Sequence, residues 1–444
     1  MRLTFATDHP DPFITHACTW IATFAGIDLV PGDGPVDVYH GRDVTRPCRL
    51  RLPIEPGLSE EKPFPFDLFA LLRTWMTDAQ HTDLPAEAWD AHDRLRAGAS
   101  RQAALGQLTR PIVNHALLSF RAACEATFGR PARRPLPKGK RALVILSHDV
   151  DDPVDPGEPR HALWSALAAA RAGRPRAALG ALRAAPTRLI RGLRDPGQHH
   201  WLFDATVALE ARHGFRSSFY FAATPHFLPG GHPRDVPYDV AAPAFRRTLH
   251  HLTAAGAEVG LHMGYRARDD RALLAAEKAR LERALGAPIQ GGRHHYWHLA
   301  RPFWPTLTEH AAVGLTYDSS LAFNDAPGFR LGAAFPFQPY DPTREVPIRC
   351  WQVPPMAMDG AWFYDEKCTV DQALADSAAL LDQLKAAEGL GAIDWHVRAS
   401  APGNRRHARW AEAYGEILAL LASDREVAVL PAAEALAVWR GAPS

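Results

Sequence analysis

From residue 142 onward the sequence alternates short apolar runs with stretches of helical periodicity, a rhythm that few folds can accommodate. ALVILSHDV (142–150), SSFYFAA (217–223), AEVGLHM (257–263), PIQGGRHH (288–295), VGLTYDSS (313–320), CWQVPPMAMD (350–359), AIDWHV (392–397) and VAVLP (427–431) read as buried strands. Helices fall between them. FRRTLHHLTAAG (245–256) carries apolar residues at helical spacing and ends at Gly256. DDRALLAAEKARLERALG (269–286) opens with acidic residues, which the helix dipole favours at that end, and stops at Gly286. Such alternation implies parallel strands with helices outside, an α/β architecture. Seven or eight strand–helix units point to a barrel rather than an open sheet.

A Pro-rich and basic stretch, GRPARRPLPKGKRA (129–142), separates this region from what precedes it. The expected organisation is an N-terminal domain over residues 1–130, a linker at 131–141 and the barrel at 142–444. In the first part, LTFAT (3–7) and VDVYHG (36–41) suggest short strands, and residues 66–80 and 111–128 suggest helices. His92, His115 and Cys124 show no ligand-type spacing there and are expected in the core or on the surface. Residues 160–194 interrupt the barrel rhythm, being rich in Ala and Arg with no carboxylate from His161 to Arg194. They read as an inserted helical pair whose arginines are solvated. The alternative is a basic flap that holds an anionic substrate or touches a membrane surface peripherally.

Composition removes several function classes. A formal net charge of +1 gives no global field towards nucleic acid, and no basic strip is interleaved with aromatics, so no nucleic-acid partner is expected. The start, MRLTFATDHPDPF, lacks the apolar core of a signal peptide, and no apolar run approaches a membrane span. A cytoplasmic protein is expected. The five cysteines are scattered without a CxxC pair, which speaks against disulfides and a cysteine zinc site. Chemistry must come from the carboxylates and the 22 histidines.

In a parallel barrel the C-terminal strand ends converge on one face, where catalytic groups collect. The first barrel strand runs into Ser147-His148-Asp149-Val150-Asp151, and period-two alternation puts Asp149 and Asp151 on one side, His148 on the other. Two carboxylates so spaced can divide labour, one binding a cation and one serving as general base. His262 closes the third strand. Arg293 and His295 share a face of the fourth, with His294 opposite. Asp394 and His396 alternate onto one face of the seventh, so that Asp394 could orient the imidazole.

This order of motifs, with YDSSLAF (317–323) and GFRLGAAFPFQPYD (328–341), resembles the polysaccharide deacetylase superfamily, the NodB homology domain of carbohydrate esterase family 4. The closer likeness is to a bacterial subgroup bearing S/T-H-D-V-D, G-L-H and G-x-R-x-H with an appended N-terminal domain. The resemblance implies a distorted (β/α)7 barrel that uses a divalent metal, usually zinc, to remove acyl groups from N-acylated sugars. It implies Asp149 as general base, Asp151 and His262 as metal ligands, Arg293 as the group orienting the base, and His396 as general acid. Where the family has a second metal histidine, four residues after the first, this chain has Arg266. His295 is the candidate replacement because it projects beside Arg293, and His148 is the alternative. Tyr317 and Trp395 could frame a sugar ring, and Asp318 could bind a hydroxyl or support a ligand. The rival readings are a metal-free glycan-binding barrel, which Arg266 favours, and a hydrolase of another non-peptide C–N bond.

Overall fold

The computed structural model describes residues 1–54, 66–153, 202–364, 368–402, 404 and 407–441, with a few positions between 166 and 186. The basic segment 160–194 therefore lies mostly outside the described residues. In the N-terminal half, β1 (Arg2–Thr7), β2 (Asp28–Pro31), β3 (Val36–His40) and β4 (Cys48–Leu52) form a parallel sheet in the order β2-β1-β3-β4. Leu3 and Phe5 alternate into its buried side as the strand period requires. A helix over Pro12–Ala25 follows β1. Asp11 caps its start by accepting from Ile14 N at 2.8 Å, and Gly26 ends it at φ 67°, a left-handed position that suits glycine. Helices Leu68–Met76 and Ile112–Phe128 share a hydrophobic cluster with this sheet. The strands and helices expected here form, and β2 and β4 add to them.

The second sheet contains β5 (Ala142–Val150), β6 (Ser218–Ala222), β7 (Glu258–Met263), β8 (Gly291–His294) and β9 (Tyr317–Asp318). A small antiparallel pair, β10 (Tyr340–Asp341) with β11 (Val346–Pro347), stands apart from it. β12 (Trp351–Gln352), β13 (Pro355–Met358), β14 (Leu390–Asp394) and β15 (Val427–Val429) complete it. Its order is β12-β9-β8-β7-β6-β5-β14-β13, and every pairing is parallel. The two edges are joined by Val353 and Pro354 alone. Val353 N donates to Asp318 O on the β9 side at 2.9 Å, and Pro354 O accepts from Ala392 N on the β14 side at 2.9 Å. The sheet thus curls until the chain itself bridges its edges. With β12 and β13 counted as one position, the ring is the expected distorted (β/α)7 barrel.

Two details differ from the sequence expectation. CWQVPPMAMD is divided at Val353–Pro354, because its halves pair with opposite edges. VAVLP supplies no ring strand; β15 pairs with Ala142–Val144 at the start of β5, before β6 takes over that edge at Ser147.

All nine residues of β5 are buried, as expected of a parallel strand covered on both sides. Leu143 and Ile145 enter one hydrophobic cluster, while Val144 and Leu146 enter another with Tyr414, Ile417 and Trp395. This alternation decides which polar residues beyond Leu146 face the mouth.

The two halves are tied together by buried groups. The Arg330 guanidinium donates to both carboxylate oxygens of Asp78, at 2.6 and 2.7 Å. Asn114 bonds the backbone of Ala334 and Ala387. His16 and Trp20 share the Gln338 carbonyl. The segment between the halves is also held, Ala132 N by Glu125 and Lys140 Nζ by two carbonyls near β15. Among the described residues, no helix is long and apolar enough to cross a membrane.

Candidate active site

The site is built where β5, β7, β8 and β14 end. Gly292 lets β7 and β8 approach closely, since a Cβ there would lie 1.9 Å from Leu261 O. The register sets His262 beside Arg293. His262 Nδ1 donates to Arg293 O at 2.9 Å, and its Nε2 lies at hydrogen-bond distance, 3.2 Å, from Asp151 Oδ1. His295 Nε2 stands 3.4 Å from the same oxygen, and its Nδ1 lies 3.6 Å from Asp235 Oδ1. Asp151, His262 and His295 each offer one ligand atom, all within 4.8 Å of one another. β8 ends at His294, and Tyr296 and Trp297 take positive φ (60° and 51°), a conformation costing about 1–3 kcal/mol each for such residues. That turn fixes where His295 stands.

The other oxygen of Asp151 faces His396 Nε2 at 3.2 Å and Arg398 Nη1 at 2.9 Å. Burial alone would raise Asp151, but His295 and His396 outweigh it and hold the carboxyl well below its usual value. Burial lowers His262, and Asp149 and Asp151 more than reverse this.

Asp149 sits beside this cluster, 3.9 Å from His262 Nε2. Arg293, fully buried, donates to Asp149 Oδ1 at 3.0 Å, to Ser319 O at 2.7 Å and to Ser319 Oγ at 3.1 Å. Burial pushes Asp149 up, yet His262 and Arg293 hold it below the ordinary carboxylate range. On the far side, Asp359 accepts from His396 Nδ1 at 2.8 Å and from His396 N at 2.9 Å. Burial and Arg398 push the imidazole down, but Asp359 and then Asp151 keep it well above its usual value.

Several expected roles are corrected. Asp394 does not orient His396; it lies 2.8 Å from Arg293 Nη1, and Asp359 backs the imidazole instead. His148 shares the outward parity of Val144 and Leu146. Its Nδ1 donates to Trp395 O at 2.5 Å and its Nε2 is 2.6 Å from Glu210 Oε1, so it faces away from the cluster. Tyr317, Asp318 and Trp395 are all fully buried and frame no ligand at the mouth. The Tyr317 hydroxyl reaches Glu258 Oε1 at 2.7 Å, at the opposite end of the barrel where β7 begins. Asp318 lies on the outward side with His310, Gln352 and Ser320, and Trp395 packs against Tyr414 and Trp362.

Asp359, Asp235, Arg398 and Ser319 were not singled out from the sequence. Asp359 and Arg398 carry a signal that could have found them. Asp359 is the last residue of CWQVPPMAMD, and Arg398 is two residues beyond His396. Both follow the strand-end rule that located the others.

No family model and no curated protein sequence matches the chain. Among solved structures it is similar to a Mycobacterium smegmatis protein provisionally described as a polysaccharide deacetylase (17% identity, 68% of this chain and 92% of that one, TM-score 0.44). A Pseudomonas aeruginosa protein, likewise provisionally described as a polysaccharide deacetylase, follows (16%, 71% and 97%, TM-score 0.43). The Puue allantoinase is similar to the same degree (15%, 70% and 95%, TM-score 0.43). At these scores the chemistry rests on this chain's own residues.

Proposed function

We propose that this protein is a metal-dependent hydrolase that removes the acyl group from an N-acylated sugar. The observation that carries this reading is a three-ligand cluster lying between a clamped carboxylate and a carboxylate-backed imidazole, all at one barrel mouth. The donor set suits a zinc-like ion. Two imidazole Nε2 atoms and one carboxylate oxygen make three protein ligands, the number that leaves a position open for catalysis. The Nδ1 of His262 is engaged by a carbonyl, the outer support that ligating histidines need, and that of His295 lies 3.6 Å from Asp235 Oδ1. An ion held there would polarise the acyl carbonyl and lower the pKa of a water.

The chain's own residues account for the proton movements. Asp149, ionised and oriented by Arg293, accepts the proton of the attacking water. His396, which Asp359 favours as the imidazolium, delivers a proton to the departing amine, a poor leaving group without it. General acid and base groups of this kind each contribute roughly 10²–10⁴-fold. The substrate is a sugar or a polysaccharide intermediate.

A second reading is a metal-free glycan-binding barrel, favoured by Arg398, which already compensates the charge of Asp151. The test is metal analysis of protein purified without chelator, beside an acetate-release assay on N-acetylhexosamines. Bound metal with acetate release supports the proposal. Bound metal without release favours another C–N bond, and no metal favours the binding barrel.

A further inference from the structure

The N-terminal half reaches the rim of this mouth. Trp89 and Leu95 form a bridge that closes the segment between them into a tight loop. From it, His92 stacks on Tyr296 with centroids 4.5 Å apart; Tyr296 lies 4.6 Å from His295, and His295 4.9 Å from His262. A continuous run of rings thus leads from the ligand cluster to the N-terminal half. Arg94 secures the loop, donating to Tyr296 O at 3.0 Å and Asn324 Oδ1 at 2.6 Å while it pairs with Asp90.

Arg234 stands on this run. Its guanidinium lies 5.5 Å from the centroid of Tyr265 and 5.7 Å from that of Tyr296, and its Nη1 is 3.1 Å from His92 Nε2. A guanidinium can only donate, so His92 Nε2 is the acceptor and the ring hydrogen is on Nδ1. That hydrogen is donated to the Tyr265 hydroxyl oxygen at 3.0 Å. The Tyr265 oxygen is thereby used as an acceptor, and its own O–H has no acceptor among the described residues. Its ring is held by stacking on His232 at 4.6 Å and on His298 at 4.1 Å.

The carboxylates around this donor already have partners. Asp90 is taken by Arg94, Asp93 by Arg268 and Arg301, and Asp235 by the backbone N–H groups of His232 and Tyr265. Arg234 and Arg266, both exposed, have no carboxylate at ion-pair distance among the described residues. Burial lowers the pKa of His232, and the positive charges of Arg266 and Arg234 lower it further against the pull of Asp235. Arg234 and Arg266, neither paired with a carboxylate among the described residues, thus lie with the Tyr265 hydroxyl around His232, next to the run of rings that ends at His295 and His262.

We infer that Arg234, Arg266 and Tyr265 bind an anionic group of the substrate, a carboxylate or a phosphate, and that the 89–95 loop of the N-terminal half holds this recognition site in place. The inference rests on the proposal above that an acylated sugar occupies this mouth. Its test is binding by calorimetry, which needs no turnover, with three probes: N-acetylglucosamine, its 1-phosphate, and N-acetylmuramic acid. One charge-assisted hydrogen bond is worth about tenfold in affinity, so at least one anionic probe should bind about tenfold or more tightly than the neutral sugar at low salt. Whichever does so identifies phosphate or carboxylate. Arg234→Gln combined with Arg266→Gln, both at exposed positions, should erase that advantage, and Tyr265→Phe should reduce it. Absence of tighter binding by either anion overturns the inference, as does an advantage that survives in the double variant. Preserved anion selectivity without acetate release would instead sink the sugar-deacetylase reading and leave the anion site standing.

Discussion

Asp394 is fully buried 2.8 Å from Arg293 Nη1, yet neither of its oxygens receives an aligned hydrogen bond among the described residues. Burial raises its pKa, Arg293 opposes this, and the nearby charge of Asp149 raises it again, to about 7. The unfolded chain releases that proton near pH ~3.9. Between roughly pH 4 and 7 the folded protein holds a proton that the unfolded chain has lost, so stability is greatest at low pH and falls as pH rises through this window. Three pKa units at about 1.36 kcal/mol each give a ceiling of about 4 kcal/mol. That is a large share of the roughly 5–15 kcal/mol by which folded proteins are stable. Asn has the shape of the protonated carboxyl and cannot ionise. Asp394→Asn should therefore match the wild type only below about pH 4, exceed it by about 1 kcal/mol at pH 5, and exceed it by up to about 4 kcal/mol at pH 8. Urea unfolding of both proteins at pH 5, 6, 7 and 8, at constant ionic strength, gives the difference curve that isolates this group. Parallel curves would refute the reasoning, as would a variant less stable at pH 8, which would make the Asp394–Arg293 charge contact a net stabiliser.

Asp149→Asn should reduce acetate release by about 10²–10⁴-fold while metal content stays at the wild-type level; retained turnover would remove Asp149 as the base. Asp359→Asn should lower kcat and make the His396 imidazolium less favoured, so that the alkaline limb of the pH–rate profile moves to lower pH; an unmoved limb would mean that Asp359 does not hold the acid. Arg330→Met leaves Asp78 buried without its partner and should cost about 3–5 kcal/mol. A fall below about 1 kcal/mol in the urea titration would show that this ion pair does not hold the two halves together.

The legible part of the site came from one rule, that polar residues ending apolar strands of a parallel barrel meet at one mouth. Asp149, Asp151, His262, Arg293, His295 and His396 all follow it, and the alternation within Gly292–His295 separated Arg293 and His295 from His294. The misread residues expose the limits of the same rule. Tyr317 does enter the barrel, but it lies in register with Gly291, two residues before Arg293, so its side chain sits below the mouth and meets Glu258 at the far end. Asp394 shares a face with His396, yet what each carboxylate contacts depends on which strand lies across the barrel, and for Asp394 that is β8 with Arg293. Pairings such as Asp359 with His396, 37 positions apart, leave no trace in local periodicity.

What the amino-acid sequence determined by itself was local: apolar period, helix ends, and the face on which each polar residue of a strand would fall. Those follow from backbone geometry and from the covalent order of side chains within a few residues. Only the tertiary structure decided which oxygen of Asp151 meets which imidazole, which carboxylate backs His396, and that His92 of the N-terminal half stands at the barrel rim. These are outcomes of how strands distant in sequence are brought side by side when the sheet curls and its two edges meet at Val353 and Pro354.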